Sequence, residues 1–205
     1  MTRAPNATLV QRPALDVEPF GLSPARPLGA TIGLAALVFS VLYFVSDALE
    51  VAQEGFSVSQ LWLTLVAEAA IPVFVVGLAR AHGRGFGRLG WASAWLYAYS
   101  YLFFTGTVVY ALARDTESYT ELSRELGLPM LVHGAVMVAA GIGFGAAVLR
   151  ARLLPTWTAA ALMAGVVAVA LTQVMPPTAG LAAAALRDGA FAGMGFALLR
   201  LRRSR

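Results

Sequence analysis

Apolar positions in this chain neither alternate nor follow a one-sided helical stripe. They run on in six blocks of about 20 residues, divided by short polar or glycine- and proline-bearing breaks. At about 1.5 Å per residue, a helix of about 20 residues covers the ~30 Å hydrocarbon core of a bilayer. The blocks predict spanning helices near residues 28–49, 59–79, 91–113, 129–149, 154–174 and 178–199. The expected fold class is therefore all-α, a polytopic membrane protein built as a bundle of six transmembrane helices. Residues 1–26 carry prolines and scattered charge without a helical apolar period, and are expected to form a disordered cytoplasmic tail. This segment is too long and too polar for a signal-peptide n-region, so the first helix is expected to be retained. Residues 27–200 make up the transmembrane domain and 201–205 a short basic tail.

Charge adds a direction. Arg3, Arg12, Arg26, Arg80, Arg84, Arg88, Arg150, Arg152, Arg200, Arg202, Arg203 and Arg205 all fall at one end of the predicted bundle. The opposite end has Arg114 and Arg124 against Asp47, Glu50, Glu54, Asp115, Glu117, Glu121 and Glu125. The positive-inside rule then places both termini in the cytoplasm of a bacterial inner membrane.

Composition agrees and removes several chemistries. The chain of 205 residues is 59% hydrophobic and 13% charged, and its formal net charge of +4 comes from arginines dispersed at helix ends. That dispersal points to topology and a lipid bilayer partner, not to nucleic acid. There is no lysine for a Schiff base and no cysteine for thiolate chemistry. Two histidines, with His82 in a predicted loop, do not supply paired haem ligands across helices. No cofactor, no metal site and no catalytic motif is expected.

Odd spans open with Leu28-Gly29-Ala30, Leu89-Gly90-Trp91 and Leu154-Pro155-Thr156, while even spans close on Gly…Arg runs ending at Arg80, Arg150 and Arg200. The pattern suggests three antiparallel hairpins. Small residues mark close helix contacts in lipid, and Gly141-x-x-x-Gly145 and Gly189-x-x-x-Gly193 fit that role. The same motifs would serve a homo-oligomer or a partner membrane protein, with intrachain packing the better reading. Arg80, His82, Arg84 and Arg88, interleaved with glycines, read as a flexible basic loop at the headgroups.

The chemistry-bearing signal is charge inside the spans. Glu68, Arg187 and Asp188 interrupt apolar blocks, where each charge costs about 2.5–3.5 kcal/mol even on the lenient insertion scale. Glu68 precedes Arg80, and Asp188 precedes Arg200, by 12 residues, which sets both carboxyls roughly 18 Å above the arginine-rich edge. Two helices thus carry charge at one level. A Glu68–Arg187 pair is the simplest assignment, and it leaves Asp188 in need of its own partner. His133 is the candidate for that role, with Asp47, Glu50 and Gln173 expected near the same outer level. Tyr97 and Tyr101, one turn apart, would line the cavity with hydroxyls or act as bulky filler. Pro72, one turn after Glu68, is expected to free a carbonyl beside the carboxylate.

The stretch Arg150-Ala-Arg-Leu-Leu-Pro-Thr-Trp-Thr-Ala-Ala-Ala-Leu-Met-Ala-Gly165 resembles the inner loop and following helix of small bacterial multi-span proteins of unknown function. The resemblance covers about one hairpin and implies a multi-pass membrane fold without implying an activity. The function expected from the residues is a small-ligand binder or proton-linked transporter using the intramembrane pocket. A structural or accessory subunit is the alternative, and a membrane-embedded enzyme ranks below both.

Overall fold

The computed structural model describes residues 26–203, with side chains from 29 to 201. Most of the expected N-terminal tail and the end of the basic C-terminal tail therefore lie outside the described residues. Among the described residues the secondary structure is all-helical. In order come α1 (Arg26–Ala52), α2 (Val58–His82), α3 (Gly87–Arg114), α4 (Tyr119–Leu126), α5 (Leu128–Ala151), α6 (Thr156–Leu171) and α7 (Pro177–Arg203).

Among the described residues five helical stretches are long and apolar enough to cross a membrane: Gly29–Ala52, Val58–Arg114, Leu128–Ala151, Thr156–Val174 and Pro177–Leu201. The 57-residue stretch Val58–Arg114 holds both α2 and α3, joined by a 3-10 turn at Gly83–Phe86. That turn is where a flexible basic loop was expected, and it is tightly anchored instead. Phe86 is buried edge-on to Phe144, with ring centroids 5.3 Å apart, and His82 belongs to the last turn of α2, its Nδ1 2.7 Å from the Leu78 carbonyl. Gly83 and Gly87, at φ 58° and 67°, supply the left-handed backbone that so short a reversal needs.

The short helix α4 was not anticipated. It is capped at Ser118, whose hydroxyl accepts from the Glu121 amide, while Glu121 Oε2 accepts from the Glu117 amide. Leu122 is its buried anchor, set among Leu61, Val108, Ala111 and Met130 at the acidic end of the bundle.

Helices pack in chain order, α1 on α2, α2 on α3, α3 on α5, α5 on α6 and α6 on α7, and α7 closes the ring against α1. Packing between successive helices is continuous around this ring and does not single out three hairpins. Small residues set the closest approaches. A Cβ on Gly195 would lie 2.5 Å from the Gly33 carbonyl, and one on Gly165 would lie 2.6 Å from the Arg187 amide. Gly141, Gly145 and Gly193 meet α6 side chains within the chain, whereas Gly189 faces open space.

The ring's centre is filled. Tyr97, Tyr101, Phe74, Phe144, Phe191, Leu162 and Met194 are fully buried there. Between α1, α2 and α7 the interior is aromatic toward the arginine-rich end and has a polar half toward the acidic end.

Candidate functional site

The polar half is assembled by helical spacing on four elements. On α2, Gln60, Thr64 and Glu68 recur at intervals of four residues, so one face carries all three inward. On α1, Tyr43, Ser46, Asp47 and Glu50 form the matching face. Helix α7 contributes Arg187 and Asp188, and α3 closes the floor with Tyr97 and Tyr101.

Tyr43 is the hub. Its hydroxyl donates to Glu68 Oε1 at 2.7 Å, its ring lies beneath the Arg187 guanidinium at 4.6 Å, and its edge meets Tyr101 at 6.4 Å. Arg187 forks onto Asp188, with Nε to Oδ1 at 2.8 Å and an NH2 group to Oδ2 at 3.1 Å, and reaches Asp47 Oδ2 at 3.3 Å. Arg187 and Asp188 are buried, whereas the Asp47 side chain keeps 24% exposure and opens toward the acidic end.

The expected Glu68–Arg187 pair is thus corrected. Both residues are interior and share Tyr43, but the guanidinium is taken by Asp188 and Asp47. Directions about 100° apart bar two adjacent residues from facing one neighbour, yet they do not stop a long side chain from curling back along its own helix. The planar fork then fits a carboxylate in two parallel bonds. Glu68, left without the arginine, takes the phenol instead.

His133 is the second correction. It stands on α5, which packs against α3 and α6, across the ring from α1. Its ring stacks on Phe103 at 3.6 Å, Nε2 lies 3.0 Å from Tyr99 Oη and Nδ1 lies 2.8 Å from the Pro129 carbonyl. Both nitrogens are engaged there, and Asp188 finds its partner in Arg187 instead. Gln173, in the turn after α6, is exposed and donates to the Val169 carbonyl of α6, outside the cluster. Glu50 is half-buried on the α1 face that carries Asp47.

Tyr97 and Tyr101 are completely enclosed, with rings 5.2 Å apart, and neither hydroxyl has a hydrogen-bond partner among the described residues. The same holds for Glu68 Oε2 and Ser40 Oγ. They are therefore packed like filler while carrying the unspent polarity of a lining. Helix α2 continues through Pro72, whose missing amide leaves the Glu68 carbonyl without its donor four residues on.

A second polar group, absent from the sequence reading, sits one turn above Glu68. Gln60 Nε2 donates to Thr64 Oγ1 at 2.9 Å and to Ser46 Oγ at 3.1 Å, and the Ser46 and Thr64 hydroxyls touch each other. The four-residue spacing of Gln60, Thr64 and Glu68 inside an apolar block was the signal that could have found it. Directly below Glu68 the packing turns aromatic. Phe74 meets Phe191 edge-on at 5.3 Å, and Phe191 stacks on Tyr97 at 6.0 Å. At the acidic end, a cavity of about 400 Å³ lies between the α1–α2 turn and the α3–α4 turn, bordered by Glu54, Phe56, Leu61, Asp115 and Glu117.

Comparison with protein-family models, curated proteins and solved structures finds no match for this chain.

Proposed function

We propose that this chain is a six-span protein of the bacterial inner membrane, with both termini cytoplasmic, that uses the Glu68, Asp188, Asp47 and Arg187 cluster for proton-linked handling of a small ligand. Support for the six crossings comes from α2 and α3 meeting at a turn rather than continuing as one rod, and support for the orientation comes from the arginine bias.

The observation that carries the reading is a charge imbalance. Three carboxyl groups, Glu68 and Asp188 buried and Asp47 at 24% side-chain exposure, share the neighbourhood of one guanidinium, and one oxygen of Glu68 has no partner among the described residues. An isolated buried carboxylate is too costly to keep without a compensating charge. Protons or a cation must supply the balance, and a group that takes up and releases them inside a membrane is the working part of a proton-linked binder or transporter.

The test is reconstitution of the full chain in liposomes with an internal pH indicator. Wild type should pass or exchange protons under an imposed gradient, and Glu68→Gln and Asp188→Asn should each reduce the rate at least about tenfold, the scale of a general acid–base group. Unchanged rates in both variants would end this reading.

A second reading is favoured by the way Arg187 ties α1 to α7: the cluster locks helix register in a structural or accessory subunit. It predicts that loss of Asp47 or Asp188 shows in stability and leaves proton exchange untouched.

A further inference from the structure

The cluster is not symmetric about its own depth. Toward the acidic end, Glu68 is followed along α2 by Thr64 and then Gln60, with Ser46 bridging from α1. Beyond them Asp47 is partly exposed and Glu50 half-buried. Toward the arginine-rich end the next interior groups include Ile71, Phe74, Phe191, Leu78 and Phe144, all 1% exposed or less, with Phe74 meeting Phe191 and Tyr97 linking Phe191 to Phe144 ring to ring. Oxygen and amide groups thus mark one approach to Glu68, and an aromatic floor closes the other.

The charged and titratable groups that act on Glu68 are Tyr43 and Asp47 from α1, Tyr119 from α4, and Arg187 and Asp188 from α7. Carboxyl, hydroxyl and amide oxygens are hard donors that suit hydronium or an alkali-metal ion, and the acidic residues at the mouth, Glu50 and Asp47, raise local cation concentration. Gln60, Ser46 and Thr64 on this approach are themselves buried, so the occupant is an ion of atomic size.

We propose that Glu68 is loaded with a small monovalent cation from the acidic, outer end only, past Glu50, Gln60, Ser46 and Thr64, while the Phe74–Phe191–Tyr97 stack bars the cytoplasmic end. This rests on the reading of Glu68 as an exchange site and adds its sidedness and its ligand class.

The chain lacks cysteine, so single cysteines report access without a background to remove. Ser46→Cys replaces one atom on the route. Ala79→Cys adds one atom below the aromatic floor, beside the buried Leu78. The full chain, oriented in sealed vesicles, is exposed to silver ion, a thiol-reactive probe of alkali-ion size, in nitrate salts. A bulky anionic methanethiosulfonate serves as the counter-probe.

Silver should modify Ser46→Cys from the outer face about tenfold or more faster than the anionic reagent does, with the preference lost when Glu68→Gln is added. It should not modify Ser46→Cys from the inner face or Ala79→Cys from the outer face. Thr64→Cys provides a second route position should Ser46→Cys fail to fold. Replacing choline nitrate with sodium nitrate slows the reaction if an alkali ion is the occupant. Slowing by acid that Glu68→Gln abolishes identifies hydronium. Protection by neither overturns the cation assignment, and equal modification from both faces overturns the sidedness. Sided modification together with unaltered proton exchange in Glu68→Gln would remove the transport reading and leave the access route standing.

Discussion

At the scale of single residues, Tyr43 decides more than its apolar surroundings suggest, because one side chain serves both charge signs. Tyr43→Phe keeps the ring under Arg187 and removes only the donor to Glu68. It is expected to cost about 1–3 kcal/mol, the penalty for stranding a buried acceptor, read as a lowered unfolding midpoint in detergent. The same change made on Glu68→Leu should cost much less, and equal losses in both backgrounds would show that the bond carries no energy. Arg187 sets a harder requirement. Arg187→Lys retains the charge but cannot span both Asp188 oxygens and Asp47, so it should destabilise by several kcal/mol where a simple point charge would suffice. A lysine variant as stable as wild type would show that the fork is dispensable. The sequence exposed the charged members of this site because charge in an apolar block is conspicuous. It hid Tyr43, Ser46 and Gln60, since a tyrosine or serine in a spanning block is unremarkable until its partner's position is known. Pairing was hidden for a related reason. Which carboxylate an arginine takes depends on side-chain reach, a property that depth counting does not contain.

At the scale of helices, most boundaries were legible within a few residues, because apolar block length and helix rise fix each other. The turn at Gly83–Phe86 and helix α4 were not, and both depend on an anchor. Phe86 converts a glycine-rich basic segment into a fixed reversal, and Leu122 holds eight residues against α2, α3 and α5. Small residues were legible as contacts but not as particular contacts. Gly189 and Gly193 share one motif, yet only Gly193 meets a neighbour. Gly195→Ala places a methyl 2.5 Å from the Gly33 carbonyl and 2.8 Å from the Leu37 amide, where only backbone could yield. It should push α7 off α1 and cost about 1–3 kcal/mol as overpacking does. Gly189→Ala, with nothing within 4 Å, should be neutral or stabilise by about 0.4–1 kcal/mol through the unfolded chain. Thermal unfolding of the two variants side by side checks the assignment, and similar losses in both would contradict the ring closure drawn here.

At the scale of the whole molecule, the closed ring explains why one polar cluster draws on four helices. Because α7 returns to α1, residues near the two chain ends meet, and Asp47 and Arg187 become neighbours across 140 positions of sequence. If the ring crosses six times, as proposed, alternate connections share a side. Reporter fusions should divide accordingly: phosphatase joined after Gly127 or Pro176 is active outside the cytoplasm, while phosphatase joined after Gly85 or Arg152 is inactive. This pattern follows from arginine placement and the helix turns together, so it can fail in two distinguishable ways. Complete inversion would leave the ring intact and reverse which compartment reaches Asp47, turning the outer access route into an inner one. Activity after Gly85 and after Gly127 alike would mean that the 57-residue stretch Val58–Arg114 does not cross twice. Tyr97 and Tyr101 on α3 would then be separated from Glu68 on α2, and the enclosed cluster could not exist.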